Sequence, residues 1–350
     1  MKALVWHGRQ DLCYEDVPEP TPSLGQAKVK VHFCGICGSD LHEYRSGPVF
    51  LSREPNPITG KSVPLILGHE FSGKVVEVGE GVSALKPGDR VTGDCIWSCG
   101  KCYYCTRNRP NLCPQGAYTG FQADGAMAEY MVAPDYTLYK LPDSVSDEIG
   151  ALVEPLEVGF HTIRRSRLQI GDTVAIVGAG TIGICVFWAA KAAGASKIFV
   201  LEISKVRRDR VSALGASEAI NPNEVNAVKA IHEFTDGMGV DISIDCVGLP
   251  NTAPLTVELA RRGGTTVLVG MYPTPIPDFD LFHVLSTEKV ILGSWAYARE
   301  APLIIDLLAR GQIDPSRLIT AKVALRDGVE KGFKELISNP EKHLKILLQP

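Results

Sequence analysis

Residues 173–190 leave a folding chain few choices: the stretch carries no charged residue and holds three glycines. It opens on the β-branched run Thr173 to Val177 and breaks at Gly178-Ala-Gly180-Thr181-Ile182-Gly183. It then continues as an apolar stretch. By length alone it approaches a membrane span. Glycines at its centre fit better with a buried strand that turns sharply into a buried helix. A G-x-G-x-x-G in that setting is the phosphate-binding turn of a doubly wound sheet. Gly178 permits the turn, Gly180 lets the backbone approach a pyrophosphate at the helix N-terminus, and Gly183 lets helix pack on strand. Thr181 and Ile182 complete the cofactor turn.

The pattern downstream alternates. Strands are predicted at 173–177, 197–201, 218–220, 240–246, 265–269 and 290–292, with helices at 181–193, 205–214 and 224–234. Six strands with intervening helices predict an α/β Rossmann sheet. Glu202 closes the second strand, nineteen residues after Gly183. A carboxylate there accepts hydrogen bonds from the adenosine ribose hydroxyls, so the expected cofactor is NAD. Arg207 is placed to lie over the adenine or pair with Glu202, although Arg207 and Arg208 could also partly neutralise a 2′-phosphate.

The first half reads differently. Short alternating runs such as 27–33 and 73–78 are separated by Gly/Pro punctuation, and residues 145–165 read as helical with Glu154-Pro155 interrupting them. Ten cysteines occur in a chain whose first seventeen residues mix Lys2, Arg9, Asp11, Glu15 and Asp16 into apolar sequence, unlike an export signal. Clustered thiols then read as metal ligands, and the expected compartment is the cytoplasm. Cys99, Cys102, Cys105 and Cys113, in C-x2-C-x2-C-x7-C spacing, predict a closed tetrahedral zinc site of structural type.

A second site is expected from Cys34-Gly-Ile-Cys37-Gly-Ser39-Asp-Leu-His42 together with His69-Glu70. Cys37, His69 and a carboxylate from Glu70 or Glu154 give one sulfur, one nitrogen and one oxygen ligand, leaving the open position of a catalytic zinc. Read instead as a redox pair, Cys34 and Cys37 lack a thioredoxin-like unit around them. Ser39 is expected to take a proton from a substrate hydroxyl and His42 to pass it to solvent by way of the cofactor ribose. The formal net charge of −4 gives no electrostatic reason for a nucleic-acid or membrane partner.

With C-G-I-C-G-S-D-L-H, G-H-E, the four-cysteine lobe, E-P-L at 154–156 and GAGTIG in hand, the chain resembles a zinc-containing medium-chain dehydrogenase over its whole length. The resemblance implies a GroES-like, β-rich catalytic domain (1–155 and 296–350) and an inserted Rossmann domain (156–295). It also implies that Cys37 and His69 are zinc ligands. Liver-type relatives carry a third cysteine where this chain has Glu154, whereas polyol-type relatives carry glutamate. Within the family the chain is most similar to 2,3-butanediol dehydrogenases, on 39–48, 318–322 and 345–350, and next to sorbitol and threonine dehydrogenases. The implied reaction is NAD-linked, zinc-dependent interconversion of a small secondary alcohol and its ketone, 2,3-butanediol with acetoin, or acetoin with diacetyl. The implied assembly is a homodimer or homotetramer. A polyol or amino-alcohol substrate is the alternative on the same scaffold. A relative that binds nucleotide without chemistry would have lost part of the ligand set or relay, and here all six groups are present.

Overall fold

A computed structural model describes residues 1–272, 274–276 and 279–350. The chain divides into two compact units, Met1–Glu154 with Ala298–Pro350, and Pro155–Tyr297. The crossings fall at 154/155 and 297/298, where the sequence reading put 155/156 and 295/296.

In the second unit six parallel strands lie in the order Glu218–Ile220, Lys197–Leu201, Thr173–Val177, Val240–Asp245, Ala260–Leu268, Val290–Gly293. The order reverses beside Thr173–Val177, which is where a doubly wound sheet opens its ligand crevice. The helix Thr181–Ala192 follows, and residues 183–190 are all buried, so its apolar character on every side is satisfied. Residues 173–190 are thus strand, turn and helix, and among the described residues no helix is long and apolar enough to cross a membrane.

Several elements differ from expectation, among them the strand predicted at 265–269, which runs Ala260–Leu268. The helix predicted from 224 begins at Ala227, because the Asn226 side chain caps it by accepting the Lys229 N–H. Pro155 does not interrupt a helix: the break lies at Ala151 and Leu152, between Asp147–Gly150 and Val153–Ser166. Proline is tolerated in a first turn, where its missing N–H has no partner to lose. The helix Thr252–Leu259, with Pro254 as its third residue, was not among the predicted elements.

The first unit is built on a seven-stranded sheet. Along it run Leu138–Lys140, Arg90–Gly93, Glu70–Val78, Gln26–Gly35, Lys345–Gln349 and Ile319–Ala324, with Tyr130–Pro134 added on Gln26–Gly35. A smaller sheet joins Asp11–Asp16, Lys2–Gly8 and Leu65–Ile66. Phe71, Met127, Met131, Phe333, Ile346 and Leu348 belong to the buried core of this unit. Chain reversal therefore seats residues 345–349 beside Cys34 and Gly35, at the foot of the loop that carries Cys37.

Candidate functional site

The short helix Gly38–Ser46 organises the first group. Cys37 is its N-cap, and Asp40, three residues on, accepts the Cys37 N–H at 2.9 Å. A reciprocal cap of this kind fixes where the helix starts, and so fixes the Cys37 sulfur. Residues 39 and 42 are three apart and share a helix face. Ser39 is half-buried with Oγ 3.4 Å from His69 Nε2, while His42 is exposed. Partial burial of its ring, reinforced by the Arg45 cation, lowers the His42 pKa.

His69 and Glu70 enter where Glu70–Val78 begins, with Glu70 paired to Gly35 across the sheet. Cys37, His69 and Glu70 each place a donor atom within 4.8 Å of the others. His69 and Glu70 are buried. Burial alone would depress the His69 pKa, but Asp40 and Cys37 outweigh it and hold the imidazole well above its ordinary range. Its Nδ1 faces Asp40 Oδ1 at 3.7 Å, and both atoms are buried without a hydrogen-bond partner. A ligating histidine is commonly oriented by a carboxylate at its other nitrogen, and Asp40 stands in that place.

Glu70 is held from behind. Its Oε1 accepts from Lys345 Nζ at 2.6 Å, and Nζ also donates to the Ile36 carbonyl at 3.0 Å. Both side chains are almost fully buried. Burial opposes the Lys345 charge, but Glu70 more than restores it. The other oxygen, Oε2, is buried with no partner. It occupies the space a side chain at residue 35 would take: a Cβ on Gly35 would lie 2.1 Å from it. Glu154 is buried near Cys95, Oε1 3.9 Å from its Sγ, and its charge reaches His69 and Lys345. It does not join the 4.8 Å group; Glu70 does. An unpartnered carboxylate oxygen, an imidazole and a thiol converging in a buried pocket are a fitting donor set for Zn²⁺.

Cys99, Cys102, Cys105 and Cys113 converge as a second group. Cys102 and Cys105 sulfurs are 3.4 Å apart, Cys99 and Cys105 sulfurs 4.0 Å. With Zn–S bonds near 2.3 Å a tetrahedron has edges of about 3.8 Å, so the lobe is already at ligand spacing. The Lys101 N–H, ahead of other donors, lowers the Cys99 pKa to about 6, while burial raises Cys105 to about 11. Cys95 is buried away from this lobe, and Cys34 is a buried thiol pushed well up by desolvation.

In the second unit Gly178 has φ +96°, and a Cβ on Gly183 would lie 1.9 Å from the Gly178 carbonyl oxygen. Gly180 caps the helix opened by Thr181 and Ile182, and its side-chain space is open apart from Arg207 Nη1 at 3.9 Å. Glu202 is buried and accepts the Ala179 N–H at 2.8 Å and the Ser204 N–H at 2.9 Å. A carboxylate has about four acceptor sites, so two remain for a diol. Arg207 Nη1 stands 4.0 Å from Glu202, and Arg208 Nη1 is tied to the Glu202 and Ile203 carbonyls.

Sequence reasoning missed Asp40 and Lys345. The signals were present: Asp40 sits three residues after the N-cap, and Lys345 is a lone cation entering the apolar run Ile346 to Leu348.

Residues 23–143 match the alcohol dehydrogenase GroES-like domain, and 181–310 match the zinc-binding dehydrogenase domain. The chain is 37% identical to (R,R)-butanediol dehydrogenase of Bacillus subtilis (strain 168), covering all of both. It is 34% identical to a sorbitol dehydrogenase of Halalkalibacterium halodurans, covering all of this chain and 99% of that one. The crystal structure of 2R,3R-butanediol dehydrogenase from Bacillus subtilis superposes with TM-score 0.93 at 37% identity, over 100% of this chain and 99% of that chain. Two further similar structures hold nicotinamide cofactors. A zinc-binding dehydrogenase type protein of Sinorhizobium meliloti 1021 binds NADP (TM-score 0.89, 32%, 100% and 99% covered). An alcohol dehydrogenase of Escherichia coli CFT073 binds NADH (0.91, 30%, 100% and 99%). The chain belongs to the zinc-type medium-chain alcohol dehydrogenase family, oxidoreductases that act on CH–OH groups with a nicotinamide cofactor and zinc.

Proposed function

We propose that this protein is an NAD(H)-linked dehydrogenase of small secondary alcohols, interconverting 2,3-butanediol with acetoin, and acetoin with diacetyl. The observation that carries the reading is the convergence of Cys37, His69 and Glu70 beside Ser39. Zinc held by those three residues would supply the positive charge that makes the alcohol's hydroxyl proton easier to remove. Ser39 takes that proton at Oγ while releasing its own toward His42, exposed on the same helix face, which hands it to solvent. The carbinol hydrogen leaves as hydride to the nicotinamide. Asp40 orients His69, and Lys345 holds Glu70 in place. Glu202 receives the ribose diol, which favours NAD over NADP. Cys99, Cys102, Cys105 and Cys113 would hold a second zinc that shapes the lobe.

The choice of a short, partly apolar substrate rests on the ring wall at the site. Phe121 lies 5.0 Å from the His69 ring and Phe50 5.4 Å from Phe121, centroid to centroid. A methyl-flanked carbinol fits that wall better than a chain of hydroxyls. The polyol reading draws on the sorbitol dehydrogenase relative. The test is kcat/KM for the butanediol stereoisomers, acetoin, sorbitol and threonine on zinc-loaded protein. Butanediol and acetoin should lead by at least about tenfold; sorbitol or threonine ahead would replace the assignment.

We further propose a homodimer or homotetramer formed through the second unit. Its strand Val290–Gly293 is at a sheet edge, and Leu281, Phe282 and Leu285 are more than 70% exposed near it in sequence. Apolar surface of that kind beside an open strand invites pairing. None of the ten cysteines is in a disulfide, which supports the reducing cytoplasm as the compartment.

A further inference from the structure

The N-terminal hairpin carries a third set of metal-type donors, which the reaction does not use. The His7 imidazole, Cys13 thiol and Glu15 carboxylate place one donor atom each within 4.8 Å of one another. His7 Nε2 is 3.2 Å from both Glu15 oxygens, and Cys13 Sγ donates to Asp11 Oδ1 at 3.3 Å.

The ladder builds this arrangement. Lys2–Gly8 pairs antiparallel with Asp11–Asp16, and the register slips between Trp6 and Gly8, so His7 is the extra residue beside Asp11. A bulge re-aims the side chain it inserts. Asp11, Cys13 and Glu15 alternate along the partner strand and so share one face. The turn between the strands is fixed by Gln10, whose N–H is donated to the Tyr44 carbonyl at 2.8 Å. Trp6 Nε1 donates to the Glu43 carbonyl at 3.2 Å. The donors therefore sit on an anchored hairpin. A plain surface ion pair would account for His7 and Glu15. It leaves unexplained the thiol and second carboxylate on the same face.

We propose that His7, Cys13 and Glu15 bind a divalent cation of the zinc class, with Asp11 beside the fourth position. The set repeats the sulfur, nitrogen and oxygen donors of Cys37, His69 and Glu70. Metal–ligand bonds of about 2.0–2.3 Å give tetrahedral edges of roughly 3.3–3.8 Å. The Cys13–Asp11 separation of 3.3 Å lies at the short end of that range and the His7–Glu15 separation of 3.2 Å just below it. Thiolate and imidazole select zinc over magnesium or calcium. Binding releases the Cys13 proton to solvent. The bond to Asp11, helped by slight burial, holds that thiol above its ordinary range, so the metal must compete with the proton. His7 is exposed and Cys13 and Glu15 are half-buried, which makes the ion exchangeable.

The test uses the full-length, zinc-loaded protein, equilibrium-dialysed against Zn²⁺ with bound metal counted by elemental analysis. Cys13 alkylation is followed in parallel by peptide mass spectrometry. The parent should bind one equivalent more than His7→Ala or Cys13→Ser. Zn²⁺ should slow Cys13 alkylation about tenfold or more in the parent and less than about twofold in His7→Ala. Glu15→Gln, which preserves shape, should weaken the extra equivalent by about 10–100-fold. Turnover should be unchanged in all three variants, and the readouts do not depend on which alcohol is the substrate. The proposal is overturned by the absence of an extra equivalent, by its persistence in both ligand variants, or by alkylation indifferent to Zn²⁺.

Discussion

Replacing Lys345 with methionine probes the least expected element of the site. Methionine keeps most of the aliphatic stem and removes the ammonium, so packing changes little. What remains is Glu70 without the Lys345 cation, and an Ile36 carbonyl without the Lys345 donor. Both ends of the pair are at most 2% exposed, so solvent does not screen the loss. Removing one partner of a buried pair costs about 3–5 kcal/mol, a large share of a total stability of about 5–15 kcal/mol. For a unit of roughly 200 residues, where each kcal/mol moves Tm by about 2–4 °C, the expected shift is roughly 6–20 °C. Lys345→Met with Glu70→Gln removes the stranded charge and should recover more than half of the loss, a coupling on the order of 2 kcal/mol. Denaturant unfolding of metal-stripped and zinc-loaded protein gives both numbers. If Glu70 is a zinc ligand, the deficit of Lys345→Met should shrink on loading, because the metal supplies the missing positive charge. A loss below about 1 kcal/mol, or a double variant no better than the single, would refute the reasoning.

Glu202→Ser should improve NADP use and Glu202→Ala should narrow the NAD preference. Equal kcat/KM for the two cofactors in the parent, where a difference on the order of 10²-fold or more is expected, would sink this role for the carboxylate. Partial burial and Arg45 depress the His42 pKa, so its neutral, proton-accepting form persists further into acid. His42→Ala should therefore slow alcohol oxidation by about 10²–10⁴-fold at low pH and less at high pH, where solvent base substitutes. Arg45→Ala should move the acid limb of the pH profile upward, and a change under about twofold at every pH would make His42 a bystander. Cys102→Ser should lower stability and cost one zinc per chain while folded protein keeps its catalytic metal; unchanged zinc content would contradict the lobe.

The parts of the site legible in sequence are those whose chemistry is local. The cysteine lobe closes within fifteen residues, and Cys37, Ser39 and His42 lie on one turn and helix, so spacing alone brought them together. The glycine turn was legible because each glycine answers a backbone need visible in the pattern. The pairing of Glu70 with Lys345 was not, since only the sheet register of residues 345–349 against Cys34 and Gly35 brings them together. Nor did sequence choose between Glu70 and Glu154, because both are acidic residues beside recognised motifs. Both are buried, and only Glu70 has a donor oxygen grouped with Cys37 and His69. The boundary at Pro155 failed for a different reason: proline was read as a break where it lies in the first turn of a helix.

The distance along the chain between Glu70 and Lys345, 275 residues, also sets a clock. At roughly 5–20 residues per second, synthesis separates the two by about 15–55 s. The cysteine lobe is complete about 1–3 s after its first thiol emerges, at the same rates. Ribosome-stalled chains ending before residue 345 should accordingly carry zinc on the lobe and none at Cys37. On the proposed assignments, topology orders metal acquisition in time: the lobe can fill well before Lys345 arrives to brace the Cys37 group.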